Sequence, residues 1–74
     1  MPKVLTPPTA LGARIRELRA SKGWAQWELA YVVGTLANRV SDWELGVRQP
    51  TLPSLEKLAA AFGITVADLL RDVM

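Results

Sequence analysis

Four glycines, Gly23, Gly34, Gly46 and Gly63, each follow a short segment whose apolar residues recur at helical spacing. Glycine commonly stands just beyond the last turn of a helix, because it adopts the left-handed backbone that ends one. The segments between the glycines carry apolar residues three and four positions apart, and none alternates in the manner of a strand. The sequence therefore predicts an all-α bundle of five short helices, the last of them after Gly63.

Capping residues and prolines set the other limits of the helices. A threonine precedes the first and the fifth helical pattern, as an N-cap does, and a proline suits the first turn of the fourth. Residues 1–8 contain three prolines and no periodicity, so we predict a flexible leader ahead of a single domain over 9–74. The predicted helices run from Thr9 to Ser21, from Gln26 to Val33, from Leu36 to about Leu45, from Pro53 to Phe62 after a connector over 47–52, and from Thr65 through Leu70 towards Val73.

The composition excludes several classes of function. The chain has 74 residues, no cysteine and no histidine. It therefore lacks the thiolate and imidazole groups that bind transition metals and that act as, or activate, catalytic nucleophiles. No apolar run reaches the roughly 18 residues of a membrane span. We expect a binding module of the cytoplasm with no catalytic residues, metal, cofactor, small-molecule substrate or membrane contact.

Residues 11–70 resemble a known DNA-binding domain, the helix-turn-helix of the Cro/C1 and XRE type found in phage repressors and bacterial regulators. The matching residues are the opening LGARIRELRASKGW, then Gln26, ELA at 28–30, Gly34, VS at 40–41, WE at 43–44, Gly46, Arg48, Pro50 and the closing TLPSLEKLAAAFGITVADLL. The resemblance implies a five-helix bundle of the lambda-repressor kind, whose third helix enters the major groove of DNA. It further implies that Gln26 and Arg48 contact phosphates and that Asn38 and Arg39 contact bases.

Several residues depart from the family pattern and make the second and third helices unusually apolar. Ala25 and Leu36 stand where the family favours Ser or Thr as helix caps. Fourteen of the 24 residues from 24 to 47 are apolar, which is more than the core of such a fold needs. Trp27 and Tyr31 are four residues apart and share a helix face turned away from the core stripe. The predicted surplus, called the apolar face below, comprises Trp27, Tyr31, Val32, Leu36, Ala37 and Leu45.

The charge of the same segment argues against a nucleic-acid partner. Residues 24–47 carry a net charge of −2, with a single arginine against Glu28, Asp42 and Glu44. Affinity for DNA depends on neutralising phosphates, and Asp42 is predicted on the side that faces the groove. The basic residues of the first helix, among them Arg14, Arg16 and Arg19, are predicted to form a solvated surface instead of a phosphate track.

Two functions fit these observations. We favour an engineered protein-binding module on a helix-turn-helix scaffold, whose apolar face binds a protein partner or a second copy of the chain. The alternative is a sequence-specific DNA-binding regulator of the Cro/C1 type, which would use Gln26, Asn38, Arg39 and Arg48. Packing of the two aromatic side chains against the leader is a third explanation for the apolar face, and it requires no partner.

Overall fold

Each of the five predicted segments is a helix in the computed structural model, which describes residues 10–71. The helices are α1 (Ala10–Ser21), α2 (Gln26–Val33), α3 (Ala37–Leu45), α4 (Leu52–Phe62) and α5 (Val66–Leu69). Residues 10–71 contain no strand, so the all-α prediction is confirmed. The predicted leader over 1–8, the predicted cap Thr9 and the extension to Val73 lie outside the described residues.

Local chemistry explains where the later helices begin. The Thr51 hydroxyl accepts a hydrogen bond from the Ser54 amide at 3.3 Å, so α4 begins one residue before Pro53. The Thr65 hydroxyl accepts from the Asp68 amide at 3.0 Å and caps α5 as predicted. The prediction for α3 is wrong by one residue, because Leu36 occupies the N-cap in an extended conformation and its side chain offers no acceptor.

The core takes one fully buried aliphatic side chain from each helix. These residues are Ile15, Leu29, Val40, Leu58 and Leu69. Burial of a side chain of this size contributes about 1.5–3 kcal/mol, so the five together account for much of the apolar driving force. Around them lie Trp43, which is buried as predicted, and Trp24, whose ring stacks on Phe62 with centroids 6.2 Å apart. None of the described helices has the length and apolar character needed to cross a bilayer.

Two helices approach closely at Gly12, where α1 lies against the carboxyl-terminal half of α3. A Cβ atom at this position would come within 2.5 Å of the Glu44 carbonyl oxygen and 2.6 Å of the Trp43 carbonyl oxygen. Both are backbone atoms, so relief would require movement of a whole helix. Glycine is therefore required here by the spacing of α1 and α3.

Substitution of Gly12 tests this helix contact. We expect Gly12→Ala to lower the free energy of unfolding by about 2 kcal/mol, because overpacking outweighs the better helix propensity of alanine. Urea denaturation followed by circular dichroism measures the change. Ala13→Gly, at an exposed site in the same helix, is the matched control and should cost about 1 kcal/mol through propensity alone. A stabilised Gly12→Ala variant would contradict the close packing of α1 on α3.

Candidate nucleic-acid interface

Helices α2 and α3 form a helix-turn-helix unit that is held against the rest of the bundle. Gly34 ends α2 with φ of 87°, and its amide donates to the Ala30 carbonyl. Only Thr35 and Leu36 then separate it from the first residue of α3. Leu29 and Ala30 bury the inner side of α2, while Val40 buries that of α3. The tight turn therefore fixes the direction of α3 relative to α2.

A charged pair between α1 and α3 anchors this unit. The Arg19 guanidinium donates to both carboxylate oxygens of Glu44, through Nε at 2.6 Å and Nη2 at 3.1 Å. Its Nη1 donates to the Trp24 carbonyl at 2.7 Å, and the Gln26 side-chain amide donates to Glu44 Oε1 at 3.1 Å. Glu44 is 5% exposed. The Glu44 carboxylate thus joins the end of α3 to α1 and to the start of α2, and Arg19 adds the following loop.

The placement of Arg19 corrects the prediction of a solvated basic surface on α1. Its hydrogen bond to Glu44 raises the pKa of Arg19 above the ordinary value, against the opposing effect of burial. Arg14 is half-buried and donates to the Asp68 carbonyl at 3.1 Å, which ties α1 to α5. Of the three arginines named, Arg16 alone is exposed. The first helix therefore uses its cations mainly to hold the fold together.

The acidic residues of 24–47 also have partners within the fold. Asp42 is half-buried, and its carboxylate lies 3.6 Å from Nε of Arg48. The Glu28 carboxylate accepts from the Ala25 amide at 2.7 Å, which is the half of a capping box that a glutamate supplies. With Glu44 paired to Arg19, all three acids have partners. That Asp42 lies on the side facing the groove stays a prediction, but its charge is paired with that of Arg48.

The four predicted DNA contacts lie at the start of α2, in the first turn of α3 and in the loop after α3. Asn38 and Arg39 are exposed in the first turn of α3, and within residues 10–71 neither side chain has a hydrogen-bond or ion-pair partner. Gln26 begins α2, where the first amide groups of a helix have no partner inside it. Arg48 lies in the loop after α3, with its side chain 54% exposed. The side chains of Asn38 and Arg39 are thus available to an external ligand, whereas that of Gln26 is already bonded in part to Glu44.

Most of the predicted apolar face is exposed. Trp27 is 65% exposed, Tyr31 is 83% and Leu36 is 70%, and Val32 and Leu45 are exposed as well. Ala37 is the exception, because it is half-buried and packs on the core. It lies three residues before Val40 on the inner stripe of α3, a consequence of the helix beginning after Leu36. The role of the exposed residues as an interface stays a prediction.

A cleft of about 460 Å³ opens between α1 and α3 beside the charged pair. Arg16, Gln26 and Ser41 are among the residues that line it. Its one buried carboxylate, Glu44, is already paired with Arg19. Among residues 10–71, no three acidic side chains are grouped so that they could hold a metal ion. The cleft thus lies next to the start of α2, with both charged and apolar side chains in its lining.

The sequence comparisons identify the family. A family model described as Helix-turn-helix matches residues 15–69, so the chain belongs to the helix-turn-helix family of the XRE and Cro/C1 type. It is 40% identical over 60 residues to the HTH-type transcriptional regulator DdrOP3 of Deinococcus deserti, covering 81% of this chain and 46% of that protein. The chain spans about half the length of the first curated regulators it matches.

Solved structures show the same fold. The chain is similar to the restriction-modification controller protein C.AhdI from Aeromonas hydrophila, with 39% identity and a TM-score of 0.77 over 80% of this chain and 89% of that one. It is also similar to SinR, a master regulator for biofilm formation solved in complex with DNA. There the identity is 33% and the TM-score 0.75, over 81% of this chain and 97% of that one.

These relatives correct the favoured functional interpretation. The prediction of an engineered protein-binding module is wrong, since proteins named as transcriptional repressors or regulators match most of the chain. The alternative, a DNA-binding regulator, agrees with them. The error arose from two physical misjudgements: formal charge was counted without its internal partners, and exposed apolar residues were taken to imply a protein ligand. The residues that depart from the family pattern therefore belong to a chain that is itself a member of the family.

Removal of one charge tests the anchor. We expect Glu44→Gln to lower the free energy of unfolding by about 3 kcal/mol, because the largely buried Arg19 guanidinium loses its counter-charge while the side-chain shape is kept. Urea denaturation followed by tryptophan fluorescence measures the loss.

Glu17 provides the matched control. Its carboxylate is 77% exposed and lies 4.0 Å from Nη1 of Arg14, so Glu17→Gln should change stability by less than about 1 kcal/mol. Equal losses in the two variants would show that Glu44 contributes no more than a surface acid.

Proposed function

We propose that this chain is the DNA-binding domain of a transcriptional regulator and that α3 enters the major groove of its operator. One observation carries the proposal: Asn38 and Arg39 project from the first turn of α3 without partners in the described fold. Meanwhile the Glu44 anchor fixes α3 against α1 and α2. Helix-turn-helix proteins read base edges from this turn. Asparagine suits adenine, and arginine suits guanine or phosphate.

Phosphate contacts then orient the domain on the duplex. Gln26 keeps a second amide N–H beyond the one given to Glu44, and it stands where unpaired backbone amides of α2 favour an anion. Arg48 follows α3 and can share its charge between Asp42 and a phosphate. Such contacts carry no sequence information, but they set the register in which α3 meets the bases.

The remaining functional predictions fit this proposal. A regulator that acts by binding needs no catalytic side chain, and the relatives are named as transcriptional regulators instead of enzymes. The proposed partner is therefore double-stranded DNA, with no cofactor. The proposed location is the cytoplasm, because these named relatives are regulators from bacteria. Dimeric binding to a two-fold symmetric operator would be consistent with the family mode of recognition.

Replacement of Arg39 tests the reading turn. We expect Arg39→Ala to weaken binding to the preferred duplex by about tenfold or more, since a base or phosphate contact of arginine contributes about 1–3 kcal/mol. Fluorescence anisotropy with a labelled duplex measures the affinity. The exposed side chain has no partner in the described fold, so thermal stability should stay within about 0.5 kcal/mol of the parent.

Lys57→Ala removes the same formal charge from the exposed side of α4 and serves as the control. Its affinity should stay within about twofold of the parent at moderate salt, where exposed charges beyond about 10 Å are screened. Equal losses from Arg39→Ala and Lys57→Ala would indicate a general charge effect and contradict the assigned role of α3.

A further inference from the structure

Leu36 is the one residue of the reading turn that the proposed function leaves unexplained. It occupies the N-cap of α3, where Ser, Thr, Asp or Asn would supply an acceptor, and it supplies none. It gains little burial in return, because its side chain is 70% exposed. The poor cap weakens the free domain, and the exposed side chain adds little stability to offset that loss. A contact made only in a complex would account for a leucine at this position.

The backbone at Leu36 is nevertheless hydrogen-bonded into the start of α3. Its carbonyl accepts from the Arg39 amide at 3.0 Å and from the Val40 amide at 3.3 Å, which closes the first turn of α3. Leu36, Asn38 and Arg39 are therefore fixed on a single turn, and all three are exposed. Two of them carry hydrogen-bonding groups suited to base edges, while Leu36 offers only an apolar surface.

The major groove contains one apolar group that such a surface can contact. Each base pair displays hydrogen-bond donors and acceptors there, and thymine alone adds a C5 methyl group. An adenine on the partner strand presents N6 and N7, which asparagine can bind together. An apolar side chain beside an asparagine is thus complementary to a site rich in T·A pairs.

We propose that Leu36 packs against thymine methyl groups and so selects T·A pairs at the start of α3. Asn38 binds an adenine of the same site, and Arg39 binds a flanking guanine or phosphate. This inference rests on the proposed DNA-binding function and names the base composition of its target. Ala37 has no part in it, because that residue is half-buried on the core.

Thymine replacement tests the contact at the level of single atoms. A high-affinity 20-base-pair duplex is first selected from a random pool, and each thymine is then changed singly to deoxyuridine, which removes the methyl group alone. We expect one or two positions at which affinity falls about fourfold, the effect of losing one buried methyl contact. In Leu36→Ala, the same positions should become insensitive to the replacement.

Two further variants separate base reading from folding. Leu45→Ala removes an exposed leucine from the other end of α3 and should keep the parental response to deoxyuridine. Leu36→Ser restores a capping hydroxyl, so it should raise the thermal midpoint by circular dichroism while it removes the thymine preference. A loss of affinity in Leu36→Ser cannot then be attributed to unfolding.

The outcomes distinguish the two proposals. Sequence-selective, salt-sensitive binding with no effect of deoxyuridine would overturn the thymine contact and leave the DNA-binding function intact. A deoxyuridine effect that persists in Leu36→Ala would also overturn it, since another residue would be contacting the methyl group. Failure to enrich or bind any duplex at low salt would overturn both proposals.

Discussion

The bidentate contact between Arg19 and Glu44 holds the helix-turn-helix unit in place. A carboxylate that is 5% exposed is stable only when its oxygens are bonded, and here three hydrogen bonds from Arg19 and Gln26 satisfy them. The same guanidinium fixes the loop carbonyl of Trp24. Gly12 has no side chain, so α1 also approaches the backbone of Glu44 closely. Glu44 therefore positions α3 in two ways, through its carboxylate and through its backbone contact with Gly12.

Local patterning in the sequence was sufficient to predict the helices but not the charged pair between them. Each helix carries an apolar stripe and a glycine or cap, which are local signals. Arg19 and Glu44 are 25 residues apart, and their pairing depends on the packing of α1 against α3. A signal did exist: Arg19 is four residues beyond Ile15, and Glu44 four beyond Val40, so each charge lies on a core stripe. Two opposite charges on facing stripes indicate a buried pair.

The one-residue difference at the start of α3 shows how finely the candidate site depends on register. A shift of one residue turns a helix position by about 100°, which decides whether a side chain faces the core or the ligand. Leu36 therefore caps the helix and is exposed, while Ala37 begins it and packs inward. The sequence predicted both as one exposed patch, since the end of a helix is defined only to within one or two residues.

The most direct test of the DNA-reading role of α3 is to find which backbone amides respond to duplex binding. Two-dimensional ¹H–¹⁵N NMR spectra of labelled protein, recorded during titration with duplex DNA at low salt, report on every amide at once. We expect the largest shift changes at residues 26–27, 36–40 and 48, with α4 and α5 nearly unchanged. Changes centred on α4 and α5, or no changes at saturating duplex, would contradict the claim that the anchored amino end of α3 is the DNA-reading surface.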